Sequence, residues 1–180
     1  MKKLGIIICG LVLMMGCERN IYRFTEGSVY GTVYHVSYQS EVDYTVEIRQ
    51  EMERVNQSLS MFNKESVIAR WNRGESERVD SLFVTMYEKA REVYEATGGG
   101  FDITVAPLVN AWGFGFKNEK LPSDGKIDSL LQYVGMDKVQ LEGVRLVKLV
   151  EGVQIDASSI AKGLGVDLVA EFFDREGVQN

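Results

Sequence analysis

The sequence predicts an α+β fold, a mixed or antiparallel sheet with packed helices. Three observations carry that reading. The order of patterns is strand, helices, strands, helix, rather than a regular β-α-β alternation. Residues Ile48, Met52, Val55, Leu59 and Phe62 recur at steps of 4, 3, 4 and 3, one helical face with charges opposite. "SVYGTVYHVSYQ" and "KVQLEGVRLVKLVEGVQID" are instead rich in Val, Tyr and Thr and punctuated by glycine turns. The composition, 180 residues at 45% hydrophobic and 26% charged, is that of a globular chain able to bury a sizeable core.

From the N-terminus, "MKK" is a short basic region and "LGIIICGLVLMMG" an apolar run of thirteen residues. A membrane-spanning helix needs about 20 such residues, so the run fits the apolar part of a secretory signal. It ends at "MMGC", a small residue before a cysteine, as in a bacterial lipoprotein signal, although Met14 stands where a leucine is usual. The expectation is a signal over 1–16, lipidation at Cys17, a tether over 17–27, and an exported protein held by lipid at a bacterial membrane, facing the periplasm or cell exterior. An ordinary cleaved signal is the alternative. After cleavage Cys17 is the one cysteine left, so packing rather than a disulfide must hold the fold.

Ser28 to Gln39 reads as one strand, with Gly31 a bulge or a close backbone approach. The first helix follows, ended by the polar "SLSMFNKES". A second is expected from Asp80 or Ser81 to Ala96, capped by one of those two and stopped by "TGGG". "FDITVAPLVNAWGFGFKNEKLPSDG" starts apolar and becomes a Gly-aromatic loop; "KIDSLLQYVG" reads as a short helix with Ile127, Leu130, Leu131 and Val134 on one side. Two or three strands come next, with turns at Glu142-Gly143 and Glu151-Gly152. The last helix begins near Ser158 and stops at Gly177. Only three residues remain after it, so the chain reads as the front part of a longer protein.

The net charge of −6, without a basic block past the first residues, disfavours nucleic acid as a partner. One histidine, His35, in a strand pattern, excludes multi-histidine metal sites and Ser-His-Asp or Cys-His sets. There is no P-loop, and "WGFGF" and "KGLGV" do not complete a dinucleotide-binding fingerprint. Two stretches remain. "GGGFDITVAPLVNAWGFG" offers glycines for close backbone approach and Trp112, Phe114 and Phe116 as flat surfaces for a planar ring, or equally a turn-rich loop at the core edge. "QIDASSIAKGLGVD" runs from a strand end to a helix start, where free N–H groups and Lys162 favour an anion. Asp156 would repel phosphate, so it accepts from a ligand N–H or hydroxyl, or holds a hard cation together with Ser159. On spacing alone, a helix capped by Asp156 or Ser158 explains the stretch as well.

The two stretches together, "FDITVAPLVNAWGFG" and about forty residues later "IDASSIAKGLGVDLVA", resemble the ApbE family of FAD:protein FMN transferases, as do "YGTVYHVSY", "LSMFNKESVIARWN" and the leader. The similarity covers about residues 28–180, the N-terminal part of such a domain. It implies a T-fold-type architecture, FAD as substrate and Mg²⁺. It implies transfer of FMN to a threonine hydroxyl of an acceptor flavoprotein, such as a redox-pump subunit, with release of AMP. Tyr30 sits where the family often has Met, near the flavin; Phe62 where many members have Tyr against FAD. Ala111, Trp112 and Gly113 fall in an FAD-contacting loop. Asp156 would hydrogen-bond FAD, Lys162 would contact it, and Ser159 would help hold Mg²⁺. No residue here matches a base for the acceptor threonine. The family's later segments, which complete the metal site, have no counterpart, so these 180 residues alone are expected to have weak or no activity. A non-catalytic flavin-binding lipoprotein and an FAD pyrophosphatase are the competing expectations.

Overall fold

The computed structural model describes residues 21–114 and 121–178. Cys17 and Phe116 lie outside them. The fold is α+β. Strands β1 (Tyr22–Val29) and β2 (Thr32–Gln39) form an antiparallel hairpin in which Val29 faces Thr32. The residues expected to form one bulged strand are therefore two strands, and Tyr22–Gly27, expected as tether, belong to the first. The turn consists of Tyr30 (φ 54°) and Gly31 (φ 72°), the pattern of a two-residue type I′ connection. Glycine adopts that backbone freely; Tyr30 does so against its steric preference.

Helix α1 (Thr45–Leu59) buries Ile48, Met52, Val55 and Leu59, the predicted stripe. It stops before Phe62. Ser60 turns extended, and its hydroxyl accepts the N–H groups of Phe62 (3.3 Å) and Asn63 (3.1 Å). Phe62 thereby leaves the helical face and is 73% exposed. A six-residue helix, α2 (Val67–Asn72), follows; its N-cap Ser66 accepts from the Ala69 N–H (3.1 Å) and donates to the Ser60 carbonyl (2.6 Å). Helix α3 (Ser81–Ala96) is capped as expected by Asp80, whose Oδ1 accepts from the Phe83 N–H and the Ser58 hydroxyl, both at 2.8 Å.

Helix α4 (Ala106–Ala111) occupies part of the predicted loop, with Pro107 in its first turn, where a missing N–H does no harm. Helix α5 (Asp124–Leu131), capped by Ser123, buries none of its residues. Strands β3 (Val139–Glu142) and β4 (Arg145–Lys148) form a second antiparallel hairpin. The expected third strand is a single parallel bridge, Val105 to Gln154. Helix α6 (Ala161–Glu176) starts three residues later than predicted and ends at Gly177 (φ 72°). Neither Asp156 nor Ser158 caps it.

Among the described residues, two clusters make the interior. The larger joins α1, α2, α3, β3, β4 and the segment 153–157 around Trp71, Phe83, Tyr87 and Ile155. The smaller seats the first hairpin on α1 and α6 through Tyr38, Ile48, Met52 and Val169. The end of α1, the start of α6 and the first hairpin turn thus meet along one line.

Candidate functional site

A cleft of about 280 Å³ opens on that line. One wall is the end of α1 and the Ser60 turn, which present Asn56, Met61 and Phe62. The other is Tyr30 from the hairpin turn with Ala161 and Lys162 from the first turn of α6; Phe114 and Ser158 complete it. The Tyr30 hydroxyl donates to the Met52 carbonyl at 2.6 Å. Burial, and secondarily Glu53, push its pKa far above the usual tyrosine value. The phenol is a fixed, neutral wall rather than an acid. Three aromatic rings around one opening suit a planar ligand. Helix α6 begins without a side-chain cap and with a lysine in its first turn, an arrangement that favours an anion beside that ligand.

The wall carrying Asp156 is built from distant parts of the chain. The Asp156 N–H donates to the Ile103 carbonyl at 2.7 Å. On the other edge, Asn72 takes the place of a neighbouring strand: its Oδ1 accepts from the Ile155 N–H (2.8 Å) and its Nδ2 donates to the Ile155 carbonyl (2.9 Å). Lys148 in turn donates to the Asn72 carbonyl (3.0 Å) and lies 4.5 Å over the Trp71 ring; burial holds its pKa below the usual lysine value. Alternation along the segment buries Ile155 and Ala157 and leaves Asp156 half-buried between them. Asp156 Oδ1 accepts from the Ser158 N–H at 2.8 Å, an Asx turn that folds "DASS" back before α6 begins. Asp102, the aspartate of "FDIT", serves the fold. Its Oδ1 accepts from the N–H (2.7 Å) and hydroxyl (2.5 Å) of buried Thr104, whose oxygen accepts from the Gly135 N–H (2.6 Å).

Tyr30, Phe62 and Lys162, predicted from three separate stretches, therefore share one cleft. Asp156 lines a small adjoining cleft that shares Met61, Phe62, Phe114 and Ser158 with the first. Ala111 stands elsewhere, in a groove with Lys126, Tyr133 and Gln154. Trp112, 45% exposed, and Gly113 line none of these clefts, nor does Ser159, which is exposed. His35 lies on the outer face of β2, 3.3 Å from the Glu26 carboxylate and stacked on Phe24. Sequence reasoning missed Asn56, Met61 and Ser158 as lining residues and Asn72 as the clamp. A polar residue ending a short apolar run, as Asn72 ends "SVIARWN", was the one available signal.

Among the described residues no group of three or more His, Cys, Asp or Glu is placed to hold a metal ion. Asp156 and Ser159 are hard oxygen donors of the kind Mg²⁺ takes, but two side chains fall short of its six-fold shell.

Residues 30–180 match the sequence profile described as the ApbE family. The whole chain aligns with the FAD:protein FMN transferase of Haemophilus influenzae at 33% identity and with that of Vibrio cholerae at 30%, covering 58% of each. Among solved structures it is similar to the flavin transferase ApbE from Vibrio cholerae (TM-score 0.84, 31% identity, 89% of this chain and 56% of that one). It also resembles the apo form of the Pseudomonas stutzeri flavinyl transferase ApbE (TM-score 0.83, 28% identity, 92% and 58%). The chain thus spans little more than half the length of the relatives it matches. With its profile matched over five-sixths of its residues and its fold shared with the solved flavin transferases, the chain belongs to the ApbE family.

Proposed function

We propose that the cleft binds FAD and that the protein serves transfer of FMN from FAD to a threonine hydroxyl of an acceptor flavoprotein, releasing AMP. The observation that carries this reading is the convergence of Tyr30, Phe62 and Lys162 on one cleft, beside Asp156, in a chain of this family. In the reaction the threonine oxygen bonds to the FMN phosphorus, the anhydride bond to AMP breaks, and the threonine loses its proton. Tyr30 and Phe62 hold the flavin ring between them. Lys162 and the uncapped start of α6 face the pyrophosphate, while Asp156 accepts a hydrogen bond from the flavin half. Ser159, with Asp156 close by, would help hold Mg²⁺, which supplies positive charge against the pyrophosphate and the leaving AMP. Ala111, Trp112 and Gly113 belong in this reading to a loop that contacts FAD. The acceptors are exported redox-pump subunits and similar flavoproteins, and Cys17 carries the lipid that keeps the protein at the membrane.

Because these 180 residues alone are expected to have weak or no activity, the activity is tested by incubating a longer protein that contains them with FAD, Mg²⁺ and a threonine-bearing acceptor domain. Covalent flavin fluorescence on the acceptor in a denaturing gel is the expected outcome. Free FMN and AMP without labelling would replace transfer by hydrolysis, and bound FAD with neither product would reduce the protein to a flavin binder. Fatty-acid labelling that is lost in Cys17→Ser tests the anchor.

A further inference from the structure

We infer that Gly165 is a positioning residue for this cleft: it leaves α6 without a side chain where the Tyr30 ring crosses the helix, so that Tyr30 can stand as the cleft's end wall. The inference rests on the reading of the cleft as the flavin site.

Two openings meet at Tyr30. One is the cleft already described. The other is a groove of about 170 Å³ under the hairpin turn, lined by Val33, Met52, Gly165 and Val166. Tyr30 and Lys162 line both, so the ring is the partition between them. A Cβ on Gly165 would lie 2.8 Å from the Tyr30 hydroxyl oxygen, 3.0 Å from Cε2 and 3.3 Å from Cζ. Ordinary carbon contacts need about 3.5–4.0 Å, so the ring would have to retreat by roughly 0.5 Å or more. It is poorly placed to do so. Its hydroxyl is tied to the Met52 carbonyl, and its backbone sits at φ 54° in a two-residue turn.

The helix itself supplies the contrast. Glycine inside a helix is unfavourable relative to alanine. Gly163, two residues earlier, has open space where its Cβ would be. Gly165 is buried against Tyr30, and a methyl group there removes the room the ring uses. The same backbone cost is thus borne at both positions, but only at Gly165 does the contact explain it.

Four variants test this by thermal melts and by FAD titration in parallel. Gly165→Ala should lower Tm by about 3 °C or more and weaken FAD binding about tenfold, a loss of about 1.4 kcal/mol. Tyr30→Phe removes both the nearest atom and the tether to Met52. In that background Gly165→Ala should change FAD affinity less than about twofold and leave Tm level or raised. Gly163→Ala, whose Cβ meets open space, should raise Tm. The inference is overturned if Gly165→Ala binds like wild type, if its effect is the same with and without the Tyr30 hydroxyl, or if Gly163→Ala lowers Tm equally. A wild type that fails to bind FAD would instead overturn the flavin reading, and with it the binding role of Gly165. The melts would still report whether Gly165 and Tyr30 are coupled.

Discussion

At the scale of single residues, Tyr30 and Asp156 each answer to a measurement that separates structure from ligand. The Tyr30 hydroxyl has its pKa raised above the ordinary 10.0, chiefly by burial. A raised folded-state pKa means stability that is whole below the unfolded value and lost as pH climbs beyond it. Denaturant unfolding followed from pH 9 upward should therefore show wild type weakening more steeply than Tyr30→Phe once pH exceeds 10. Asp156 spends Oδ1 on the Ser158 N–H. Asparagine can keep that turn and lose only the charge. Asp156→Asn should hold stability within about 0.5 kcal/mol while weakening FAD or Mg²⁺ binding measured by calorimetry; Asp156→Ala should add a loss of about 1 kcal/mol for the missing turn. Equal stability losses in both variants would assign the carboxylate a purely structural role. The residue-level reading from sequence rests on chemistry that is local. Lys162 and Asp156 advertise themselves by charge in an apolar setting. Asn56 and Met61 do not, because lining a cleft is a property of where α1 stops, and that is set by the Ser60 hydroxyl.

At the scale of elements, caps decide which helices were readable. Asp80 stands just before a long apolar stripe, so α3 could be bounded from the sequence. Helices α2 and α4 have six residues each, under two turns, and no period can be seen over that length. Ser66 was the hidden signal for α2. It joins two elements, capping α2 and bonding to the Ser60 carbonyl, and it is fully buried. Ser66→Ala should lower unfolding free energy in urea by about 2 kcal/mol, one cap plus one buried hydrogen bond. Ser158→Ala, whose side chain caps nothing, should change it by less than about 0.5 kcal/mol. The hairpin was misread for a similar reason. Tyr-Gly is not the Asn-Gly or Asp-Gly that marks a two-residue turn, so Gly31 passed for a bulge. The aromatic partition that the turn provides explains why a less suited residue occupies it.

At the scale of the whole molecule, two interiors are bridged by α1 and α6, and the candidate site lies on the bridge. The α+β class followed from the order of periods, which composition and spacing make visible. The pairing of segment 153–156 did not, because its partners are a side-chain amide and a loop carbonyl rather than a strand. Asn72→Ala removes both hydrogen bonds to Ile155 and should cost about 2–3 kcal/mol in unfolding free energy, with FAD affinity falling alongside; unchanged affinity would detach that clamp from the site. The clamp also has a timing. Asn72 and Ile155 are 83 residues apart. At synthesis rates of about 5–20 residues per second, Asn72 waits roughly 4–17 s for the strand it will hold. Helices α1 to α3 emerge before Ile155 does, but their packing on β3, β4 and α6 waits for those later segments as well. Asn72 thus precedes in synthesis both segments that wall the cleft, 155–157 and the start of α6, and a ligand can recognise the site only once both have emerged.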